Sequence, residues 1–206
     1  MTTRIANVIL APHIDDEALG CFSYLNEQTF VHCFGAENRS YASREERIQE
    51  LRRAAGLKRF QWHVSNHNVN SYQCNLLIPE IEARINELRP ETVLVPHPCY
   101  NQDHRAVYDA AMVATRPHDR NWLVPTVLIY EQPHAFMWPY VHGALEPNYF
   151  RPIDIAAKLE LYRVYVTQVR GHRSPELLTA LAQLRGAAIN VPYAEAFCCK
   201  RKVQTA

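Results

Sequence analysis

The segment Thr92-Val93-Leu94-Val95-Pro96 is β-branched and apolar almost throughout, and it stands between two stretches whose apolar residues recur at helical spacing. A run apolar at nearly every position is a strand buried on both faces, and flanking helices are what bury it. The same alternation runs along most of the chain. Residues 5–11, 30–34, 60–64 and 126–130 read as further short strands, and 15–27, 43–55, 76–88, 103–115, 155–169 and 175–185 as helices. Short strands alternating with helices pair in parallel, so we expect an α/β fold with a mostly parallel central sheet and helices on its faces. Residues 131–152, with prolines and aromatics at no clear period, read as a long structured loop, and 193–206 as a tail that packs back onto the core. Neither an internal repeat nor a linker composition is present, and residues 1–206 are expected to form a single domain.

Charge and composition narrow the function. Twenty-two Lys+Arg against 21 Asp+Glu leave a formal +1, with the basic residues scattered rather than striped, which argues against a nucleic-acid partner. No apolar run reaches the roughly 18–20 residues of a membrane span. The first residues lack the pattern of a cleaved leader. The six cysteines include no C-x-x-C pair, and Cys198 and Cys199 are adjacent, which suits reduced thiols and a cytoplasmic location.

Chemistry concentrates where strands hand over to helices. Ala11-Pro12-His13-Ile14-Asp15-Asp16-Glu17 puts an imidazole and three carboxylates at the carboxyl end of the first strand, where open α/β sheets bind ligands. His13 in the turn and Asp16 in the first helical turn can converge on a metal, leaving Asp15 to face a water. The second buried strand ends in an equivalent junction, His97-Pro98-Cys99-Tyr100-Asn101-Gln102-Asp103-His104. Two imidazoles and a carboxylate with one open position are the ligand set of a catalytic Zn2+, though such nitrogen and oxygen donors also accept other divalent first-row metals. We therefore expect His13, Asp16 and His104 as ligands, Asp15 as general base, and Asp103 orienting a ligating imidazole. An Asp-Asp pair in such a loop also serves as a helix cap, with Asp15 at the N-cap and Asp16 and Glu17 facing the helix dipole.

These residues resemble the LmbE-like, or PIG-L, family of zinc-dependent N-acetylglucosaminyl deacetylases, whose first motif has the form A-H/P-H-P-D-D-E. Here only the proline after His13 is changed, to Ile14. The resemblance extends to Arg47-Ile-Gln-Glu50, to Arg89-Pro90-Glu91-Thr92-Val93, to a helix carrying Lys158, Tyr165 and Gln168, and to Tyr193-Ala-Glu195-Ala-Phe197, so that it spans nearly the whole chain. It implies a Rossmann-like three-layer sandwich, zinc on His13, Asp16 and His104, Asp15 as base, and Arg47 reaching the substrate. The implied activity is hydrolysis of an N-acetyl group on a small-molecule amino sugar or its conjugate.

One position departs from that pattern. The family's second motif, H-x-D-H, is matched at Asp103 and His104 but opens here on Asn101. An amide donates a hydrogen bond to an oxyanion yet delivers no proton, so His97, His134 or a protonated Asp15 must serve the leaving amine. His97, bracketed by prolines, equally suits a structural role, and Arg47 a solvated face among Arg44, Arg52 and Arg53. His134, Phe136, Trp138 and His142 could form a sugar-stacking lid or a contact with a second copy of the chain, which leaves a homo-oligomer open. A weakened sugar-binding protein and a metal-dependent amidase on a non-sugar metabolite are the rival readings. His118-Asp119 follows Pro117 in a loop and reads as surface; a zinc-deaminase pattern and a dinucleotide-binding glycine fingerprint are both missing.

Overall fold

A computed structural model of the chain describes residues 3–134, 138 and 143–204. Among them, β1 (Asn7–Ala11), β2 (Thr29–Cys33), β3 (Gln61–Val64), β4 (Thr92–Pro96), β5 (Thr126–Tyr130), β6 (Tyr149–Pro152) and β7 (Ala194–Lys202) form one sheet in the order β3-β2-β1-β4-β5-β7-β6. The first five strands are parallel, and β7 runs antiparallel to both β5 and β6. The helices are α1 (Asp16–Gly20), α2 (Arg44–Lys58), α3 (Cys74–Leu88), α4 (Gln102–Ala114), α5 (Ile155–Tyr162) and α6 (Pro175–Ala187). The expected Rossmann-like sandwich is the architecture found.

Strand periodicity divides the core into two layers. Val8 and Leu10 of β1, with Val93 and Val95 of β4, face Leu77, Ile81 and Ile85 of α3 and Val107 and Ala111 of α4. The alternate residues Ile9, Ala11 and Leu94 face the layer that holds Leu51 and Ala54 of α2 and Leu161 of α5. Each such aliphatic side chain removed from water contributes roughly 1.5–3 kcal/mol, so the central strands hold the sheet while β3, exposed at alternate residues, forms its edge.

Three expectations are corrected. The helix expected over 15–27 stops at Gly20 and continues as a 3-10 turn, Phe22–Tyr24, because the Glu195 carboxylate accepts hydrogen bonds from the Phe22 and Ser23 amides at 2.9 and 2.8 Å. The helix expected over 155–169 ends at Tyr162, since Thr167 turns inward to donate its amide and hydroxyl to Glu50 at 2.8 and 2.9 Å. The loop expected over 131–152 ends as strand β6, which pairs with the tail; that tail is itself strand β7, inserted between β5 and β6. Pro152 closes β6 on an edge, where a missing amide donor costs nothing.

The order of the parallel strands reverses between β1 and β4, which lie side by side in register from Asn7↔Thr92 to Ile9↔Leu94. Loops leaving neighbouring strands toward opposite sides open a crevice at their carboxyl ends. Both sequence motifs lie there.

Candidate metal centre and active site

The first loop is held in an unusual backbone state. Asp15 occupies the N-cap position of α1 with φ 101°, a left-handed conformation costly for a residue with a side chain, and that side chain makes no capping bond. The capping function falls to neighbours: Glu17 accepts from the Asp15 amide at 3.1 Å, and Asp16 Oδ2 from the His13 amide at 2.9 Å. The strained turn therefore frees the Asp15 carboxylate to point into the cleft.

His13 Nε2 lies 2.9 Å from Asp103 Oδ2, and Asp103 also accepts from the amides of Asn70 at 2.6 Å and Tyr72 at 3.3 Å. A carboxylate so placed takes the imidazole proton on Nε2 and leaves the His13 Nδ1 lone pair facing Asp16 Oδ2, 3.6 Å away. His104 Nε2 approaches the same oxygen at 3.5 Å. One ligand atom from each of His13, Asp16 and His104 lies within 4.8 Å of the others. Bonds of about 2.0–2.1 Å in a tetrahedral site set ligands roughly 3.3–3.4 Å apart, so the three expected residues form a donor set that fits a divalent cation. Gln132, just past β5, donates to Asp16 Oδ1 at 3.1 Å and fixes that carboxylate.

Electrostatics agree with that fit. Burial pushes the Asp16 carboxyl up to about 7, with the charge of Asp15 adding to the effect and His13 opposing it. This is a carboxylate with too little positive charge beside it. Burial and the neighbouring imidazoles of His13 and His134 hold His104 well below its ordinary value, in the neutral form that ligates metals. Burial alone would lower His13, but the hydrogen bond it donates to Asp103 and the charges of Asp16, Asp103 and Asp15 outweigh it and raise the imidazole.

Asp15 lies between two guanidinium groups. Arg47 Nη2 approaches its Oδ1 at 3.3 Å, and Arg173 Nη1 its Oδ2 at 2.9 Å. Arg47 is 1% exposed and donates from its Nη atoms to Glu50, Thr167 and the Ile14 carbonyl as well, so the solvated-face alternative is corrected. The Ile14 contribution comes from its backbone, which an isoleucine makes as well as a proline. Arg173 is oriented from behind by Gln168 Oε1 at 2.8 Å.

The remaining candidates take distinct places. Asn101 caps α4, its Oδ1 accepting from the Asp103 amide at 2.9 Å, and its Nδ2 is left for the cleft it lines. His134 Nε2 stands 3.5 Å from Cys99 Sγ, with its ring edge-on to His104 and Tyr100. Burial and the Arg173 charge drive His134 down to about 3. Cys99, His104 and His134 form a second set of metal-capable atoms that shares His104 with the first. His97 does not line this cleft; it lines the adjoining one, with Ile129, Leu145 and Lys200. Trp138 is exposed and edge-on to Tyr100, while Phe136 and His142 of the expected lid lie outside the described residues.

Sequence reasoning missed Arg173, Gln132 and Tyr72. Gln132 had a signal, since it follows a parallel strand by two residues. Arg173 had none, lying in a short 3-10 turn without hydrophobic period. The late motifs hold the first loop from behind: Lys158 donates to Glu195 and to the Leu19 carbonyl, both at 2.7 Å, and Tyr165 donates to Glu17.

The sequence-family model for PIG-L, described as GlcNAc-PI de-N-acetylase, matches residues 8–115, more than half of the chain. The chain belongs to the PIG-L family. Solved structures share its fold. N,N'-diacetylchitobiose deacetylase from Pyrococcus horikoshii superposes with a TM-score of 0.76 at 17% identity, over 94% of this chain and 83% of that one. The A40926 pseudoaglycone deacetylase Dbv21 does so at 0.71 and 19%, over 98% and 100%. The 4-carboxy-2-hydroxymuconate hydratase GalB from Pseudomonas putida gives 0.70 and 17%, over 98% of each chain. No curated protein matches the sequence. No helix among the described residues is long and apolar enough to cross a membrane.

Proposed function

We propose that this PIG-L protein is a zinc-dependent N-deacetylase that hydrolyses the acetamido group of an amino sugar or amino-sugar conjugate. The observation that supports it is the placement of Asp15 beside the His13, Asp16 and His104 donor set in a cleft of about 280 Å³. That volume is at the small end for ligand pockets and suits one sugar ring with its acetamido arm. A cation held there supplies Lewis acidity toward the amide carbonyl and acidifies a water.

The chain's own residues carry the proton. Asp15 Oδ accepts it from the attacking water, and the acyl carbon gains a C–O bond. The C–N bond then breaks, Asp15 returns the proton to the leaving nitrogen, and a free amine results with acetic acid, which ionises to acetate in water. Arg47 and Arg173 keep the Asp15 carboxylate aimed throughout. Asn101 Nδ2 donates to the oxygen that becomes negative, the role open to an amide. Tyr100 and Trp138 offer ring faces to the apolar side of a sugar, and Arg170 gives the rim a cationic side suited to a carboxylate or phosphate on the substrate.

Acetate release from a panel of N-acetylated sugars, measured before and after chelation alongside elemental analysis, tests the reading. We expect chelator-sensitive acetate release, and an Asp15→Asn protein that keeps its metal but is slower by about 10²–10⁴-fold. Undiminished turnover in Asp15→Asn removes Asp15 as base. Sugar binding with metal and no acetate release establishes instead the weakened binding protein, a reading favoured by Asn101 standing where a proton donor is needed.

A further inference from the structure

A second cluster of metal-binding side chains lies away from the catalytic crevice, on the sheet face covered by α3. In the parallel pair β2 and β3, His32 and His63 are register partners. Directly opposed residues project to the same face, and the two rings meet edge to face with centroids 5.4 Å apart. Helix α3 lays Glu80 across them: its Oε1 lies 2.7 Å from His32 Nε2, and its Oε2 2.7 Å from His67 Nε2. One ligand atom from each of His32, His63 and Glu80 lies within 4.8 Å of the others.

The surroundings are those of a built site. The His32 side chain is 1% exposed, stacked on Phe34 at 4.7 Å, and its Nδ1 is buried without a hydrogen-bond partner. His63 lies at the exposed edge of the sheet, which gives an ion a path in from solvent. Arg84, over the Phe30 ring, is the opposing charge in this neighbourhood.

We propose that His32, His63 and Glu80 form a second binding site for a divalent first-row transition metal, with His67 holding the second oxygen of Glu80 in place. Imidazole donors select zinc, nickel, cobalt or copper over magnesium and calcium. Binding breaks the hydrogen bond between His32 and Glu80: the neutral imidazole ligates through Nε2 and carries its one ring proton on Nδ1. The ion ties the four-residue edge strand β3 to its neighbour β2 and to α3. Its role is to clamp the sheet edge, independent of the deacetylase reading.

Zn2+ alone is the probe. Metal-stripped wild type, His63→Ala, His104→Ala and the double variant are dialysed against Zn2+, then analysed for metal and for unfolding temperature. We expect two equivalents in wild type, one in each single variant and none in the double variant. Zn2+ should raise the unfolding temperature of His104→Ala but not of the double variant. Glu80→Gln should repeat the His63→Ala result, and His63→Ala should keep full acetate release. One equivalent in wild type that survives His104→Ala and vanishes in His63→Ala supports this site while removing the catalytic one. Stoichiometry unchanged by His63→Ala, or a His104→Ala protein that takes up no zinc and gains no thermal stability from it, overturns the proposal.

Discussion

The two clusters of two histidines and a carboxylate differ in what fills the space between their ligand atoms. At the ends of β1 and β4, His13 Nδ1 and His104 Nε2 stand 3.6 and 3.5 Å from Asp16 Oδ2, too far for a shared proton and close to the spacing an ion imposes. Between β2 and β3, Glu80 stands 2.7 Å from the ring nitrogens of both His32 and His67, so protons already satisfy it. The first cluster is held apart by Asp103, Gln132 and a strained turn at Asp15; the second rests on regular strands and a helix. A site that keeps its donors apart without an ion carries an electrostatic cost, and the cation of the proposed function would offset it.

Breaking the first cluster should have the largest effect. His104→Ala removes a ligand common to both sets of donors in the crevice. We expect acetate release to fall by more than about 100-fold, beyond the upper end for loss of a merely supporting group, together with one equivalent of metal. The check is activity and elemental analysis on the same preparation. Full activity in that variant removes His104 from the centre.

Arg173→Met probes the base rather than the ion, and its effect should be smaller. The 2.9 Å ion pair to Asp15 is lost while all three ligands remain. A charge-assisted hydrogen bond contributes about 1.5–3 kcal/mol, so kcat should fall roughly 10–100-fold with metal content unchanged. A fall in metal content would show that Arg173 supports the cluster instead of the base.

How much of this was legible in the sequence follows the same division. The parallel strands β1, β2, β4 and β5 and the residues His13, Asp15, Asp16 and His104 were readable because each depends on local pattern: apolar runs, then a polar turn, then a helix. Asp103 beside His13 was readable as an orienting partner. The antiparallel half of the sheet was not, because β6 hides in a segment without period and β7 becomes a strand only by pairing with β5. The early ends of α1 and α5 depend on Glu195 and Glu50, carboxylates distant in sequence that take amides a longer helix would have kept. Arg173 reaches Asp15 from 158 residues away, and nothing in its own turn signals that. The His32 and His63 pair needs the β2 and β3 register, which no one-dimensional pattern supplies.

The smallest effect tests whether protons do fill the second cluster. Hydrogen bonds from His32, Ser65 and His67 overcome burial and hold the Glu80 carboxyl down to about 2, against 4.5 for a free glutamate. The folded protein therefore binds that proton less readily than the unfolded chain. Its contribution to stability is present above pH 4.5 and drains away as the pH falls through 2. For a half-buried group, screened by solvent, that contribution is about 1–2 kcal/mol. Metal-stripped Glu80→Gln should accordingly be less stable than wild type at pH 7 in urea, with the gap closing as the pH falls toward 2. A gap that stays constant across that range would show that Glu80 acts by packing alone. Asp16 has the opposite sign, its carboxyl pushed up rather than down. In the stripped protein its charge is a burden to the fold, whereas the charge on Glu80 supports the fold with or without an ion.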